Sequence, residues 1–155
     1  MNKEIERKWI VDLNLLDFDL NTLPYIDMSQ GYISKKPTIR IRSENNQRFI
    51  LCVKTKPQKD ALLTNEYEIE IKKEEYENLL KKVEGNIITK RRYIYNIDGY
   101  KMEIDVFGSY LSPLCLAEIE FESEDEPLKY KAPPFCIKDV SFDYHYKNAY
   151  LSTIN

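Results

Sequence analysis

The sequence predicts one mainly β domain of the α+β class, built on an antiparallel sheet with a few flanking helices. Apolar and polar residues alternate with a period of two over most of the chain, as half-buried antiparallel strands require. Only four glycines and seven prolines interrupt the 155 residues, and no repeat or linker-like stretch divides them. We therefore expect a single domain over residues 1–155, with mostly short connections.

The alternation of apolar and polar residues predicts seven or eight strands, of which seven have assigned ranges. The seven ranges are 4–11, 38–43, 48–56, 65–72, 87–96, 101–107 and 114–122. Residues 44–47 form a polar loop of hairpin length between the second and third of these strands. A turn at 97–100, which contains Asp98-Gly99, joins the fifth and sixth.

The period changes once, over residues 74–83. Apolar side chains recur there at i, i+3, i+4 and i+7, ahead of Gly85, which predicts an amphipathic helix: Tyr76, Leu79, Leu80 and Val83. Leu13, Leu16 and Leu20 predict a short helix after the first strand. Residues 141–151 predict another near the C-terminus, which gives two or three helices in all.

Composition excludes several classes of function. With 23 Lys+Arg against 26 Asp+Glu, the net charge of −3 argues against a nucleic-acid partner. No apolar run approaches the ~20 residues that span a bilayer, and the charged start is unlike a signal peptide, so we expect a cytoplasmic protein without a membrane partner. The single histidine, His145, excludes a Ser-His-Asp arrangement. The widely spaced Cys52, Cys115 and Cys136 predict reduced thiols in the core or at its boundary.

The predicted strands carry their charges on one face, because residues i and i+2 of a strand point the same way. Strand by strand, the charged faces read Glu4/Glu6/Lys8, Arg40/Arg42, Lys54/Lys56, Glu66/Glu68/Glu70, Lys90/Arg92, Glu103/Asp105 and Glu118/Glu120/Glu122. The opposite faces form an apolar layer that includes Ile39, Ile41, Val53, Ile69, Ile71, Ile94, Met102, Ile104, Val106, Ile119 and Phe121.

Two interpretations of the charged faces compete. The simpler one is the wet face of an antiparallel sheet, with charges of both signs paired across strands. However, most of these strands carry charges of a single sign, and solubility alone does not require this segregation. Basic strands facing one centre would bind a highly charged anion, and neighbouring carboxylates would bind a hard divalent cation. Closing the sheet with its charges inside would bring both sets to one metal–polyphosphate site and remove exposed edges.

The run Glu4-Ile5-Glu6-Arg7-Lys8 resembles the N-terminal Glu-x-Glu-x-Lys signature of the CYTH superfamily, the triphosphate tunnel metalloenzymes. Later segments resemble further motifs of that family in the expected order: Arg40-x-Arg42, Val53-Lys54, Glu66-x-Glu68, Lys90-x-Arg92-Tyr93, Glu103-x-Asp105-x-Phe107, Leu116-Ala117-Glu118-Ile119-Glu120 and Tyr146-Lys147-Asn148-x-x-Leu151. The resemblance covers essentially the whole chain.

This resemblance implies an eight-stranded antiparallel closed β-barrel that forms a tunnel and binds triphosphate-containing substrates with Mg²⁺ or Mn²⁺. For a short stand-alone domain it favours hydrolysis of inorganic tripolyphosphate. Two alternatives stay open: an adenylate cyclase of the same superfamily, which converts ATP to cyclic AMP and pyrophosphate, and a non-catalytic barrel that binds polyphosphate or nucleotide. A homodimer is also compatible with the sequence.

The resemblance also assigns roles to the charged residues. Six basic residues are expected to bind the triphosphate: Lys8, Arg40, Arg42, Lys54, Lys90 and Arg92. Four carboxylates are expected to bind the metal: Glu4, Glu6, Glu118 and Glu120. Four further carboxylates are expected to be catalytic, by completing a second metal site or orienting water: Glu66, Glu68, Glu103 and Asp105. Lys56 has the right parity but directly precedes Pro57, so we rank it below Lys54.

Overall fold

The computed structural model describes residues 2–57 and 62–154, which contain one nine-stranded antiparallel sheet and three α-helices. The strands are β1 Asn2–Val11, β2 Tyr25–Lys35, β3 Thr38–Glu44, β4 Arg48–Thr55, β5 Leu63–Ile71, β6 Glu84–Ile97, β7 Tyr100–Phe107, β8 Cys115–Phe121 and β9 Cys136–Asp139. The helices are α1 Lys73–Leu80, α2 Glu126–Lys129 and α3 Asn148–Leu151.

Eight of the strands close into a barrel, which confirms the predicted fold class. The strand order is β5-β4-β3-β2-β6-β7-β8-β1, and β1 pairs back onto β5 to complete the ring. The first part of β1 lies opposite β5, where Ile5 faces Leu63. The last part of β1 pairs instead with β9, where Trp9 faces Asp139, so the ninth strand lies outside the ring.

The apolar face of the barrel points outward and is covered by the flanking segments. Its largest cluster includes Ile5, Trp9, Met102, Ile104 and Ile119, all buried, and the chain around residues 16–23 and 130–136 packs over it. On the other side of the barrel, α1 places the Tyr76 ring 5.1 Å from that of Phe49. The core therefore lies outside the wall, and the charged face of the sheet is left to point inward.

One end of the barrel interior is filled by apolar side chains. This apolar plug consists of Tyr32, Ile88, Phe107, Leu111, Leu116 and Leu151. Leu151 belongs to α3, so the C-terminal helix packs against the side chains that close this end. The charged part of the interior is thereby restricted to the remaining length of the barrel.

The structure corrects some of the predicted elements. The short helix predicted from Leu13, Leu16 and Leu20 is two 3₁₀ turns, Leu13–Leu15 and Leu20–Thr22. Each turn begins where an aspartate side chain, Asp12 or Asp19, accepts a hydrogen bond from a backbone N–H two residues on. The C-terminal helical segment is a 3₁₀ turn followed by α3.

All seven predicted strands and the helix at α1 are present, but β4 ends at Thr55, one residue before the predicted end at Lys56. Two strands, one α-helix and one 3₁₀ turn were not predicted from the sequence: β2, β9, α2 and the turn Ser109–Leu111. All three cysteines are free. Among residues 2–57 and 62–154, no helix has the length and apolar character needed to cross a membrane.

Arg7 ties β1 to the segments that cover the outer core. Its Nε and Nη2 donate to one carboxylate oxygen of Asp139 at 3.1 and 2.6 Å, and its Nη1 donates to the carbonyls of Pro127 and Tyr130 at 2.7 and 2.9 Å. Because Arg7→Ala removes donors from partly buried carbonyls and a carboxylate, we expect the free energy of unfolding to fall by about 2–3 kcal/mol. Chemical denaturation measures this loss.

Arg91→Ala is the matched control. Arg91 also forms a two-pronged ion pair, with Asp27 at 2.7 and 3.0 Å, but both side chains are about half exposed. Exposed ion pairs contribute about 1 kcal/mol or less, so this variant should remain near wild-type stability. Equal losses in the two variants would contradict the anchoring role of Arg7.

Candidate active site

Thirteen of the fourteen predicted site residues line a single cavity of about 710 Å³ inside the barrel. They reach it because the charged faces of β1 and of β3 to β8 all turn inward. The residues are Glu4, Glu6, Lys8, Arg40, Arg42, Lys54, Glu66, Glu68, Lys90, Arg92, Glu103, Glu118 and Glu120. Asp105 is the exception, since it is only 1% exposed and does not reach the cavity surface.

The antiparallel register determines which charges face each other. On β1 and β8, Lys8 lies directly opposite Glu118, and Glu6 lies directly opposite Glu120. Directly opposed residues have Cβ atoms about 5 Å apart on the same face of the sheet, so their side chains interact. Lys8 Nζ accordingly lies 3.3 Å from Glu118 Oε1, whereas Glu6 and Glu120 bring two carboxylates together.

A group of carboxylates lies where β8, β1 and β5 meet. Glu4, Glu6 and Glu120 each place an oxygen within 4.8 Å of the other two. Carboxylates at this spacing repel one another unless a proton or a cation lies between them. Their oxygens are the ligands that Mg²⁺ and Mn²⁺ prefer, so this group could hold a divalent metal ion. Of the predicted metal ligands, Glu118 is outside this group and pairs with Lys8.

The pKa values in this group show how the repulsion is relieved in the absence of a cation. Burial, and then the charge of Glu118, raise the pKa of Glu6 to about 8. Burial and a hydrogen bond with Glu4 raise the pKa of Glu120 to about 8. Burial opposes ionisation of Glu4 too, but the charge of Lys54 and the hydrogen bonds outweigh it and lower that pKa to about 2. The group therefore retains protons that a metal ion would displace.

Asp105 neutralises two of the predicted substrate-binding cations from within the wall. Its Oδ2 lies 2.8 Å from Lys90 Nζ, and its two oxygens accept from Arg92 Nε and Nη2 at 2.7 and 2.9 Å. Arg92 also donates to Glu103 at 3.1 Å. This two-pronged contact fixes the plane of the Arg92 guanidinium. From this position Asp105 can orient Lys90 and Arg92, but it is not placed to contact a ligand directly.

Arg40 and Arg42 are held much less tightly. The nearest carboxylate to Arg40 is Glu68, at 3.9 Å, and the Arg42 guanidinium lies 3.4 Å from both Glu68 and Glu44. Among the described residues, neither Nε atom has a hydrogen-bond partner, although both atoms are buried. Burial, and then the charges of Arg40 and Arg92, lower the pKa of Arg42. Guanidinium groups in the cavity wall whose contacts with carboxylates are this long favour an anion in the cavity.

Near the apolar plug, the C-terminal segment contributes groups that the sequence analysis did not include in the site. Lys8 Nζ donates to the Tyr146 carbonyl at 3.2 Å, and Lys90 Nζ donates to Asn148 Oδ1 at 3.4 Å. Lys147 and Tyr32 also line the cavity. The motif around residues 146–148 is the sequence signal for the groups of the C-terminal segment. Tyr32 lies on β2, a strand that was not predicted from the sequence.

Comparison with known proteins agrees with this geometry. The model of the CYTH domain matches residues 2–131 of the chain. The chain belongs to the CYTH domain family. Two curated relatives of this CYTH chain are each named "Inorganic triphosphatase". The Nitrosomonas europaea protein is 36% identical over 154 residues, covering 96% of both chains. The Acetivibrio thermocellus protein is 32% identical over 154 residues, covering 97% of this chain and 94% of its own.

Solved structures show the same architecture. The crystal structure of an inorganic triphosphatase matches with a TM-score of 0.71 and 33% identity, over 100% of this CYTH chain and 97% of the other. A Pyrococcus horikoshii protein matches with a TM-score of 0.61 over 81% of this chain and 84% of its own. Its 21% identity supports a shared fold alone.

The raised pKa of Glu6 predicts how stability depends on pH. Because the pKa rises from 4.5 to about 8 on folding, the native state binds more protons than the unfolded state between these values. The free energy of unfolding should therefore fall as the pH rises from about 5 to about 8. Denaturation of the chelator-treated protein at constant ionic strength measures this slope.

Glu6→Gln should make this slope shallower, since the amide does not titrate, while Glu120, whose pKa is also raised to about 8, continues to contribute. Glu77→Gln is the matched control, because Glu77 lies exposed on α1, outside the barrel. A Glu6→Gln protein with the wild-type slope would show that Glu6 does not hold the extra proton.

Proposed function

We propose that this chain hydrolyses triphosphate-containing substrates with a divalent metal ion, and that inorganic tripolyphosphate is its preferred substrate. The observation that carries the proposal is the state of Arg40 and Arg42. Both line the 710 Å³ cavity, and their contacts with carboxylates are long, 3.9 Å for Arg40 and 3.4 Å for Arg42. The same cavity holds a carboxylate group suited to a divalent cation. A magnesium-bound polyphosphate chain matches both halves of this site.

The substrate would be bound by the cations of the tunnel. Arg40 and Arg42 each have a buried Nε without a hydrogen bond among the described residues, and Arg92 is held in a fixed orientation by Asp105. Lys8, Lys54 and Lys90 add charge around the same cavity. Phosphoryl transfer requires little covalent help from a protein, so placing fixed positive charge at the phosphate oxygens would supply most of the rate acceleration.

The carboxylates would hold the metal ion and position water. Glu4, Glu6 and Glu120 form the group that fits Mg²⁺ or Mn²⁺, and Glu118 lies next to them on β8. When bound, the ion would neutralise charge on the phosphate oxygens. In the hydrolysis, water adds to a terminal phosphorus, the anhydride P–O bond breaks, and orthophosphate and pyrophosphate form with release of a proton.

Glu66, Glu68 and Glu103 are the cavity-lining candidates for orienting this water. We assign Asp105 to a positioning role instead, because it does not line the cavity and contacts Lys90 and Arg92 directly. Asp105 therefore lies on the face of β7 that the motif predicts. The role that we propose for it differs from the expected one, because Asp105 supports two cations and does not contact substrate or metal.

We expect Arg40→Ala to lower kcat/KM for tripolyphosphate by more than about tenfold, because it removes a buried charge-assisted phosphate contact. Stability should be retained or increased, since the substitution also removes a poorly compensated buried cation. Phosphate-release kinetics and chemical denaturation of the same variant measure the two effects. The exposed Arg91→Ala serves as control, and equal kcat/KM in both variants would place Arg40 outside the site.

We expect tripolyphosphate to be hydrolysed with a higher kcat/KM than ATP. Charged residues dominate the cavity lining, and few apolar side chains are available there to bind a nucleobase, so adenosine adds bulk without matching contacts. Phosphate release from tripolyphosphate, ATP and thiamine triphosphate at matched free Mg²⁺ or Mn²⁺ measures this preference.

The same assay separates the competing functions. Excess EDTA should abolish turnover, because carboxylates without a cation repel a polyanion. Cyclic AMP and pyrophosphate as the main products from ATP, with tripolyphosphate left intact, would establish an adenylate cyclase instead. Tight binding without turnover of any substrate would leave a non-catalytic polyphosphate-binding barrel.

A further inference from the structure

Gln30 is a neutral amide buried in the charged wall of the barrel, and the roles proposed above do not use it. It lies on β2 and is 0% exposed. Its partners across the sheet are Arg42 on β3 and Ile88 on β6. Since directly opposed residues share a face, Gln30 points inward on the same side as Arg42.

Only half of the Gln30 amide is hydrogen-bonded within the described residues. Its Nε2 donates to Tyr32 Oη at 3.4 Å, and Tyr32 lines the cavity. Its Oε1 is buried and, among residues 2–57 and 62–154, accepts no hydrogen bond. Buried polar atoms nearly always find partners, because an unpaired one loses its hydration without compensation. The amide oxygen is therefore available to a donor that reaches it in another state of the site.

A donor with the matching deficiency lies directly opposite. Arg42 Nε is buried and makes no hydrogen bond in the described part of the chain, although it lies 3.4 Å from Glu44 Oε2. This contact, and the hydrogen bond of 3.4 Å that Arg42 Nη2 donates to Glu68, are longer than typical charge-assisted hydrogen bonds. If Arg42 Nε exchanged its long contact with Glu44 for a hydrogen bond to the Gln30 amide oxygen, both unpaired atoms would be satisfied.

We propose that Gln30 is a positioning residue that accepts a hydrogen bond from Arg42 Nε when a triphosphate binds, so that both Nη groups face phosphate oxygens. This inference rests on the proposed function. A neutral amide suits the task because it orients the guanidinium without neutralising it, whereas a carboxylate at this place would compete with the phosphate. Through its Nε2, the same side chain keeps the Tyr32 hydroxyl at the cavity wall.

Gln30→Met tests the proposal, because methionine has a similar length and volume but does not hydrogen-bond in this way. The probe is the imido analogue of tripolyphosphate, which resists hydrolysis, in the presence of Mg²⁺. We expect its Kd, measured by titration calorimetry, to rise about tenfold, and the KM for tripolyphosphate to rise in parallel with little change in kcat. The melting temperature should stay the same or increase, since a buried unpaired oxygen is removed.

A purely structural role of Gln30 predicts the opposite pattern, with a lower melting temperature and an unchanged Kd. The decisive comparison uses Arg42→Lys, which retains the charge but lacks the Nε donor. In that background Gln30→Met should have no further effect on Kd, because the hydrogen bond is already lost. Equal effects of Gln30→Met in the two backgrounds would overturn the proposal.

Ser43→Ala is the matched control, since Ser43 is buried on the opposite face of the same strand as Arg42 and should leave the Kd unchanged. The assay also separates this inference from the proposed function. If the wild-type chain binds the analogue but does not hydrolyse tripolyphosphate, the hydrolase proposal fails while the Kd comparison still decides the role of Gln30. If the chain does neither, both proposals are rejected.

Discussion

A closed barrel with a charged interior has to neutralise its charges from within, and this requirement determines the arrangement of the whole site. The core lies outside the wall, so the inner face is free of the need to pack apolar side chains except at the plug. Ion pairs then form wherever the register allows them, as between Lys8 and Glu118 or Lys54 and Glu4. Each pair lowers the net charge that a ligand has to neutralise.

The groups left over after this pairing are of opposite sign and lie in different parts of the wall. The carboxylates around Glu4 have an excess of negative charge and retain protons, while Arg40 and Arg42 have an excess of positive charge. A cation and an anion supplied together can satisfy both, whereas either alone satisfies one and worsens the balance of the other. The internal electrostatics therefore favour a metal–phosphate complex over its separate components.

Strand parity explains why so much of this could be predicted from the sequence. Because side chains alternate strictly along a strand, a regular charged face in seven segments already fixes which residues share the inner surface. The alternation of side chains does not determine the register between strands. It is this register that pairs Asp105 with Lys90 and Arg92, which cover it. The distinction between a residue that touches the cavity and one that supports it therefore required the structure.

The strand β2 was missed for a packing reason. Its inner face carries Gln30 and Tyr32 and so lacks the charge pattern of the other strands, and Gly31 weakens its strand signal. In the structure Gly31 is required by close contact, since a Cβ atom there would lie 2.8 Å from a methyl group of Val83. Glycine is typical of a break in a strand, but Gly31 is the residue that lets the outer layer pack closely against the barrel wall.

The ring closes through a short junction, since the described part of the chain pairs β1 with β5 over residues 2–5 and with β8 over the longer stretch 5–10. Glu4 lies at this junction, and its ion pair with Lys54 reaches across β5 to β4. The charges that bind ligands thus also fasten the ends of the sheet together. Because a ligand that binds only the closed ring stabilises it by mass action, closure of the barrel and occupancy of the tunnel form one linked equilibrium. The stability of the closed barrel therefore depends on whether a ligand occupies it.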